Sequence, residues 1–204
     1  MNTFKELALR RQSTRSFSDK EVELDKLMRI CEVACLSPSS CNSQPWKLHV
    51  VRPTYSKLAE LRKACQPVKL NPFLNNVSNF IVIEQTFGNM KSKSGGFFAN
   101  NDINSIDLGI MAAHLCLAAE EEGLGTCMIG AFRKKRINKA LDFSRLRRFR
   151  LVVAIGYPTE DYQIRKKIRK DTKETVVYRE NLITIIIENN VLSMAQEIKV
   201  VDYE

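Results

Sequence analysis

The stretch from Leu108 to Ala119 constrains this chain most. It is apolar almost all round a helical circumference, with His114 as its one basic residue and no acidic one. A helix without a polar face has to be enclosed by other elements, so this one predicts the buried centre of a domain. It falls short of the roughly 18 to 20 apolar residues that a membrane span requires. Inside such a helix His114 reads as a satisfied core residue and not as a ligand.

The rest of the chain is long enough to do the enclosing. Its 204 residues fit one domain better than two, given roughly 150 residues per domain. With 44% hydrophobic and 27% charged residues it has the balance of a globular protein that needs no disulfide or metal staple.

Local signals supply the neighbours of that helix. Thr3 and Glu6 form a capping-box pair ahead of a helix to about Arg10. Leu24, Leu27, Met28, Cys31 and Cys35 recur at helical spacing, and this helix must stop before Ser37-Pro38. Residues 46–51 alternate like a half-buried strand, and Pro53-Thr54 is expected to open a helix reaching about Cys65. Phe80 to Ile83, Thr126 to Ile129 and Arg150 to Ile155 read as further strands, with a basic helix near Lys134 to Leu141. Strands and helices intermingle, so the class is mixed α and β. Residues 86–105 shift to Gly, Ser, Asn and Lys, a composition that suits a lid or a loop insertion. The β-branched Leu182 to Ile187 is a candidate extra strand.

The chemical inventory excludes more than it supplies. His49 and His114 belong to no zinc-spaced cluster, and the six cysteines contain no CxxC pair, so they read as reduced thiols. Gly123-Leu124-Gly125 lacks the third glycine of a dinucleotide fingerprint, and neither a Walker loop nor a Gly-x-Ser-x-Gly elbow occurs. Any chemistry then falls to a bound organic cofactor. The N-terminus is charged from Lys5, unlike a signal peptide, which predicts a cytoplasmic protein without a membrane partner. A net charge of +9 favours anionic partners without choosing among them.

Three segments combine cations, hydroxyls and amides where turns are expected. Arg11-Gln12-Ser13-Thr14-Arg15 offers two guanidinium forks with a hydroxyl between them, suited to a phosphate or, equally, to a solvated turn. Pro38 to Trp46 packs five polar side chains between two prolines. Arg165 to Lys170 is a basic run that by itself reads as a solvated face.

Taken together, RQSTRSF, PSSCNSQPW, IDLGIMAAHLCLAAEEEGLGTCMIG, RLVVAIGYP and KIRK, in that order, resemble the flavin-dependent nitroreductase family over most of residues 3–171. The resemblance implies an α+β fold, a central mainly antiparallel sheet flanked by helices, in an interlocked homodimer. Residues 1–175 would form the FMN-binding domain, and 176–204 an extension packing on it or on the partner subunit. Arg11, Gln12, Ser13 and Arg15 match residues that hold the FMN phosphate and ribityl chain, and Lys167 and Arg169 match the basic pair closing on the same phosphate. Pro38, Ser39, Ser40 and Asn42 match residues that approach the flavin from the other subunit. Ile129 and Gly130 match the turn lying near flavin N5. Asn71 stands where some members place an amide on the pyrimidine ring, although the surrounding KLNPFLNN departs from the family's pattern and Leu74 stands where those members often have lysine. The implied reaction is ping-pong hydride transfer from NAD(P)H through FMN to a nitroaromatic, quinone or related small acceptor. No residue of the chain is assigned as a catalytic group, and no metal is expected.

Two rival readings remain open at this level. One is a flavin-binding protein without redox turnover. The other is a nucleic-acid-binding module using Arg145 to Arg150 and Arg165 to Arg169 as a phosphate footprint. Against the second, the chain has no recognition-helix or aromatic-platform motif, and PSSCNSQPW contains no cation.

Overall fold

Four runs of alternating or continuous apolar residues pair into one sheet. They are β1 (Trp46–Val51), β2 (Asn79–Gln85), β3 (Gly125–Ile129) and β4 (Phe149–Gly156). The order is β1-β2-β4-β3, and every neighbouring pair is antiparallel. The computed structural model describes residues 3–87 and 101–179. The chain divides into two compact units, Met1–Arg165, which contains the whole sheet, and Lys166–Glu204.

Because successive strand residues point to opposite faces, the sheet separates two cores. On one side Ile81, Ile83, Val153 and Ile155 pack with α2 (Leu24–Cys35) and α4 (Ile103–Glu121). On the other, Phe80, Val82, Val152 and Ala154 pack with α3 (Leu58–Ala64) and α5 (Lys134–Ala140). The second face also buries Glu84, whose carboxylate meets His49 Nε2 at 2.8 Å and Arg147 Nη1 at 3.5 Å. His49 is thus the partner of a buried charge.

The capping box ahead of α1 (Phe4–Arg10) forms as expected, with Thr3 Oγ1 accepting from Glu6 N and Glu6 Oε2 accepting from Thr3 N. The helix expected from Pro53 begins only at Leu58, because residues 52–58 are spent on successive turns closed by Tyr55 N to Arg52 O and Leu58 N to Tyr55 O. The central helix starts earlier than its apolar run. Asp102 accepts hydrogen bonds from Ser105 N and Ser105 Oγ, and this cap recruits Ile103, Asn104 and Ser105 from the segment that composition marks as loop. Residues 88–100 of the proposed lid and the candidate strand 182–187 lie outside the described residues.

At 19 residues α4 reaches the length of a membrane-crossing helix. Met111, Leu115 and Ala119 are nevertheless fully buried against α2 and the sheet. The expectation of burial on all sides needs correcting: Ile106 is 50% exposed, Gly109 and Ala113 are exposed, and Ile110 and Leu117 are half-buried. One wall of the helix faces away from the core because a four-stranded sheet and α2 cover only the other. His114 Nδ1 is 2.9 Å from Ile110 O within this helix, which satisfies it locally.

The helix ends in a Schellman turn. Gly123 at φ +75° donates to Glu120 O, and Leu124 N donates to Ala119 O. In the second unit, Asp171 and Glu174 form a capping box around the one-turn α6 (Thr172–Thr175).

Candidate functional site

Arg11 to Phe17 leaves α1 and runs alongside β3. Ser13 bridges Thr126 in parallel, Thr14 N donates to Thr126 O at 2.8 Å, and Phe17 bridges Pro158. This approach depends on Gly125: a Cβ there would lie 2.5 Å from Thr14 Oγ1 and 2.8 Å from Thr14 Cβ. The two glycines of Gly123-Leu124-Gly125 therefore end a helix and admit a neighbouring chain. Buried Thr14 shares a 2.7 Å hydrogen bond with Tyr162 OH.

The same turn is tied to the segment after β4. Gln12 Nε2 donates to Gln163 O at 2.9 Å, while Arg165 N and Nε donate to Gln12 Oε1 at 3.3 and 3.2 Å. The side-chain amide of Gln12 is thus occupied at both ends within the protein. Arg165 Nη2 and Arg15 Nη1 each lie 3.4 Å from Ser13 O. Two like charges drawn to one carbonyl make a corner that favours an anion. Among the described residues neither Arg15 nor Arg165 has a carboxylate within 4 Å. Burial pushes the Cys116 and Cys127 thiols up, while Thr126 and then Arg11 pull the first, and Arg15 the second, the other way. Burial likewise pushes Cys65 up to about 12 and Cys31 up to about 11, so these thiols stay protonated at neutral pH.

Pro38 to Gln44 is shaped differently. After the turn that closes α2, Ser40–Asn42 forms a single 3-10 turn in which Cys41, Asn42 and then Gln44 take left-handed backbone, at φ 51°, 49° and 43°. Side chains hold this unfavourable path. Ser39 Oγ accepts from Gln44 N at 2.9 Å, Asn42 Oδ1 accepts from Gln44 Nε2 at 2.9 Å, and Asp107 Oδ1 on α4 accepts from Ser40 N at 3.1 Å. The hydrogen bonds of Ser39, Ser40, Asn42 and Gln44 run within the loop or to Asp107, leaving Pro38, Cys41 and Asn42 on the surface.

The remaining predicted positions divide. Ile129 is buried at the end of β3, and Gly130 follows it exposed, at the open end of the strand that Arg11–Phe17 flanks. Asn71 adopts left-handed backbone and its Nδ2 donates to Cys65 O at 3.1 Å, so its amide closes the turn after α3. Leu74 is fully buried in the second core. Lys167 and Arg169 belong to the second unit, where Arg169 Nη1 donates to Ile168 O at 2.7 Å. Motif reading placed Arg165 in a basic run without giving it a role, and it missed the roles of Gly125 and Asp107. The only signals for the last two were a glycine directly after a helix stop and a carboxylate inside an apolar helix.

The fold and this corner define a class first: a mixed domain that can hold an anionic group against the edge strand of an antiparallel sheet. Residues 8–157 match the Nitroreductase family, and the chain belongs to it. A Streptococcus pyogenes protein assigned by name as an NAD(P)H nitroreductase is 26% identical over 181 residues, spanning 77% of this chain and 90% of its own. A nitroreductase family protein of Streptococcus pneumoniae is 26% identical, with a TM-score of 0.72 over 87% of this chain and all of that one. An FMN-dependent nitroreductase of Clostridium difficile is 28% identical, with a TM-score of 0.66 over 86% of this chain and 98% of its own.

Proposed function

We propose that the protein is an NAD(P)H-dependent FMN oxidoreductase acting on a nitroaromatic, quinone or related small acceptor. The observation that carries this reading is the corner in which Arg15 and Arg165 converge on Ser13 O, with Arg11 at the end of α1 beside it. Its donor set is guanidinium forks and a hydroxyl, which suits a terminal phosphate where the chain has no glycine-rich loop. Arg11, Ser13, Arg15 and Arg165 would hold the phosphate, and the family resemblance counts Lys167 and Arg169 among its ligands. Ile129 and Gly130 offer backbone to the ring, and Pro38, Ser39, Ser40 and Asn42 cover the flavin of a partner subunit. Gln12 acts by fastening the turn, and Asn71 acts on the shape of its own loop. When bound, FMN would supply the redox chemistry between NAD(P)H and the acceptor, a hydride transfer of the ping-pong type. The chain's own residues bind, orient and exclude water, which accounts for a site without a nucleophile or a general base.

A homodimer is part of this proposal. Its support is the uncovered wall of α4, where Ile106, Gly109, Ile110, Ala113 and Leu117 share one helical side. Most of the extension 176–204 lies outside the described residues, and the enzyme works in the cytoplasm.

The test is direct. The purified protein should be yellow and release FMN, not FAD, on denaturation, and it should oxidise NAD(P)H when a quinone is added. Arg11→Ala and Arg169→Ala should each weaken FMN binding by about 10- to 100-fold, the equivalent of one charge-assisted contact. A colourless protein that refuses added FMN, or two variants with unchanged affinity, would sink the reading.

A further inference from the structure

The carboxylate of Asp107 is the least economical feature of the central helix. Asp107 is 3% exposed, sits between Ile106 and Leu108, and among the described residues leaves Oδ2 buried without a hydrogen-bond partner. A buried carboxylate with an unsatisfied oxygen destabilises the fold relative to a small apolar residue at the same place. Among the described residues its one hydrogen bond goes out of the helix, with Ser40 N donating to Oδ1 at 3.1 Å. The loop that begins at Ser40 is also strained backbone, because Cys41, Asn42 and Gln44 are all left-handed within four residues.

We infer that Asp107 is the positioning residue of the flavin-facing loop: from inside the helix it grips the Ser40 N–H and keeps Ser39 to Gln44 in the shape that covers the cofactor. The inference rests on the functional reading above, and it names a residue in α4 that acts on the flavin only through Ser40. A charge-assisted bond to one backbone N–H is the stronger kind, which is why a carboxylate serves where serine or asparagine would bond less tightly.

The experiment compares Asp107→Ala, which removes the acceptor, with Asp107→Asn, which keeps a neutral oxygen within reach of Ser40 N. Asp107→Leu repeats the deletion without a cavity if the alanine variant does not fold. Three readouts use the protein without FMN. Amide exchange at Ser40 reports the bond itself, and emission from Trp46, the chain's single tryptophan, reports the end of the loop. Thermal unfolding separates positioning from general support. In Asp107→Ala the Ser40 amide should exchange about 10- to 100-fold faster and the Trp46 emission should shift, while the melting temperature is retained or raised. FMN binding should weaken by about 10- to 100-fold in the same variant and stay within about threefold of wild type in Asp107→Asn.

A slow Ser40 amide and wild-type FMN affinity in Asp107→Ala would overturn the inference. So would an asparagine variant as impaired as the alanine one, or a melting temperature that falls as far as binding does. If wild-type protein binds no FMN while Asp107→Ala still frees Ser40 and shifts Trp46, the assignment of the loop anchor stands and the flavin reading fails.

Discussion

Arg11–Phe17 and Pro38–Trp46 are both polar, turn-like segments, yet they are held in opposite ways. The first lies against a strand, with backbone bonds to Thr126 and a bridge to Pro158, and its close approach is made possible by the missing side chain at Gly125. The second crosses from α2 to β1 on left-handed residues and is supported by side chains of Ser39, Asn42 and Asp107. Backbone pairing tolerates changes in side chains, whereas a side-chain scaffold loses its shape when one acceptor goes. The phosphate corner should therefore be sensitive to volume and the covering loop to polar substitutions.

The sharpest way to break this comparison is to damage the two regions in separate chains. One chain carries Arg11→Ala with Arg15→Ala, the other Ser40→Ala with Asn42→Ala, and each alone should form an inactive homodimer. If the corner serves its own subunit's flavin and the loop serves the partner's, mixing puts both lesions in one site and none in the other. Activity should then return to about half of wild type per heterodimer. No rescue in heterodimers verified by sedimentation would place both regions around one chain's own site.

The volume argument comes next. Gly125→Ala should destabilise the protein by about 1–3 kcal/mol in urea unfolding, because Thr14 is fully packed where the new methyl group must go. Adding Thr14→Gly should recover part of that loss. An alanine variant as stable as wild type would show that the first segment is free to shift.

The smallest effect is expected at the tie between Gln12 and Arg165. Arg165→Ala and Gln12→Ala should each weaken FMN binding by about threefold to tenfold, since the bonds lost are partly exposed. The double variant should be no worse than the more impaired single one, because both changes break the same tie. Additive losses in titrations with FMN would mean that Gln12 acts by a route other than Arg165, through its bond to Gln163 O or on the flavin itself.

Much of this was legible beforehand where a signal is local. The capping box at Thr3, the stop of α2 before Pro38 and the four strands follow from residues within a few positions of one another. The start of α3 was misplaced because Pro53 suits the first position of a turn as well as that of a helix. The start of α4 was misplaced because composition registers polar residues and overlooks that Asp102 and Ser105 cap one another. The candidate site was visible as three motifs, but Arg165, Gly125 and Asp107 act across gaps of 152, 111 and 67 residues, on Ser13, Thr14 and Ser40 respectively. No periodicity or spacing reports such partners.

By itself, then, the order of residues determined which elements form and which segments carry phosphate-binding and loop-forming chemistry, because caps, prolines and alternation work over one turn or one strand. Only the tertiary structure decided that Gln12 would spend its amide on Arg165, that α4 would bury one wall and leave the other open, and that a carboxylate in an apolar helix would reach the Ser40 amide. Those outcomes depend on which surfaces the antiparallel pairing of β1-β2-β4-β3 brings together, and hydrogen bonds and steric contacts act only at the few ångströms that such pairing creates.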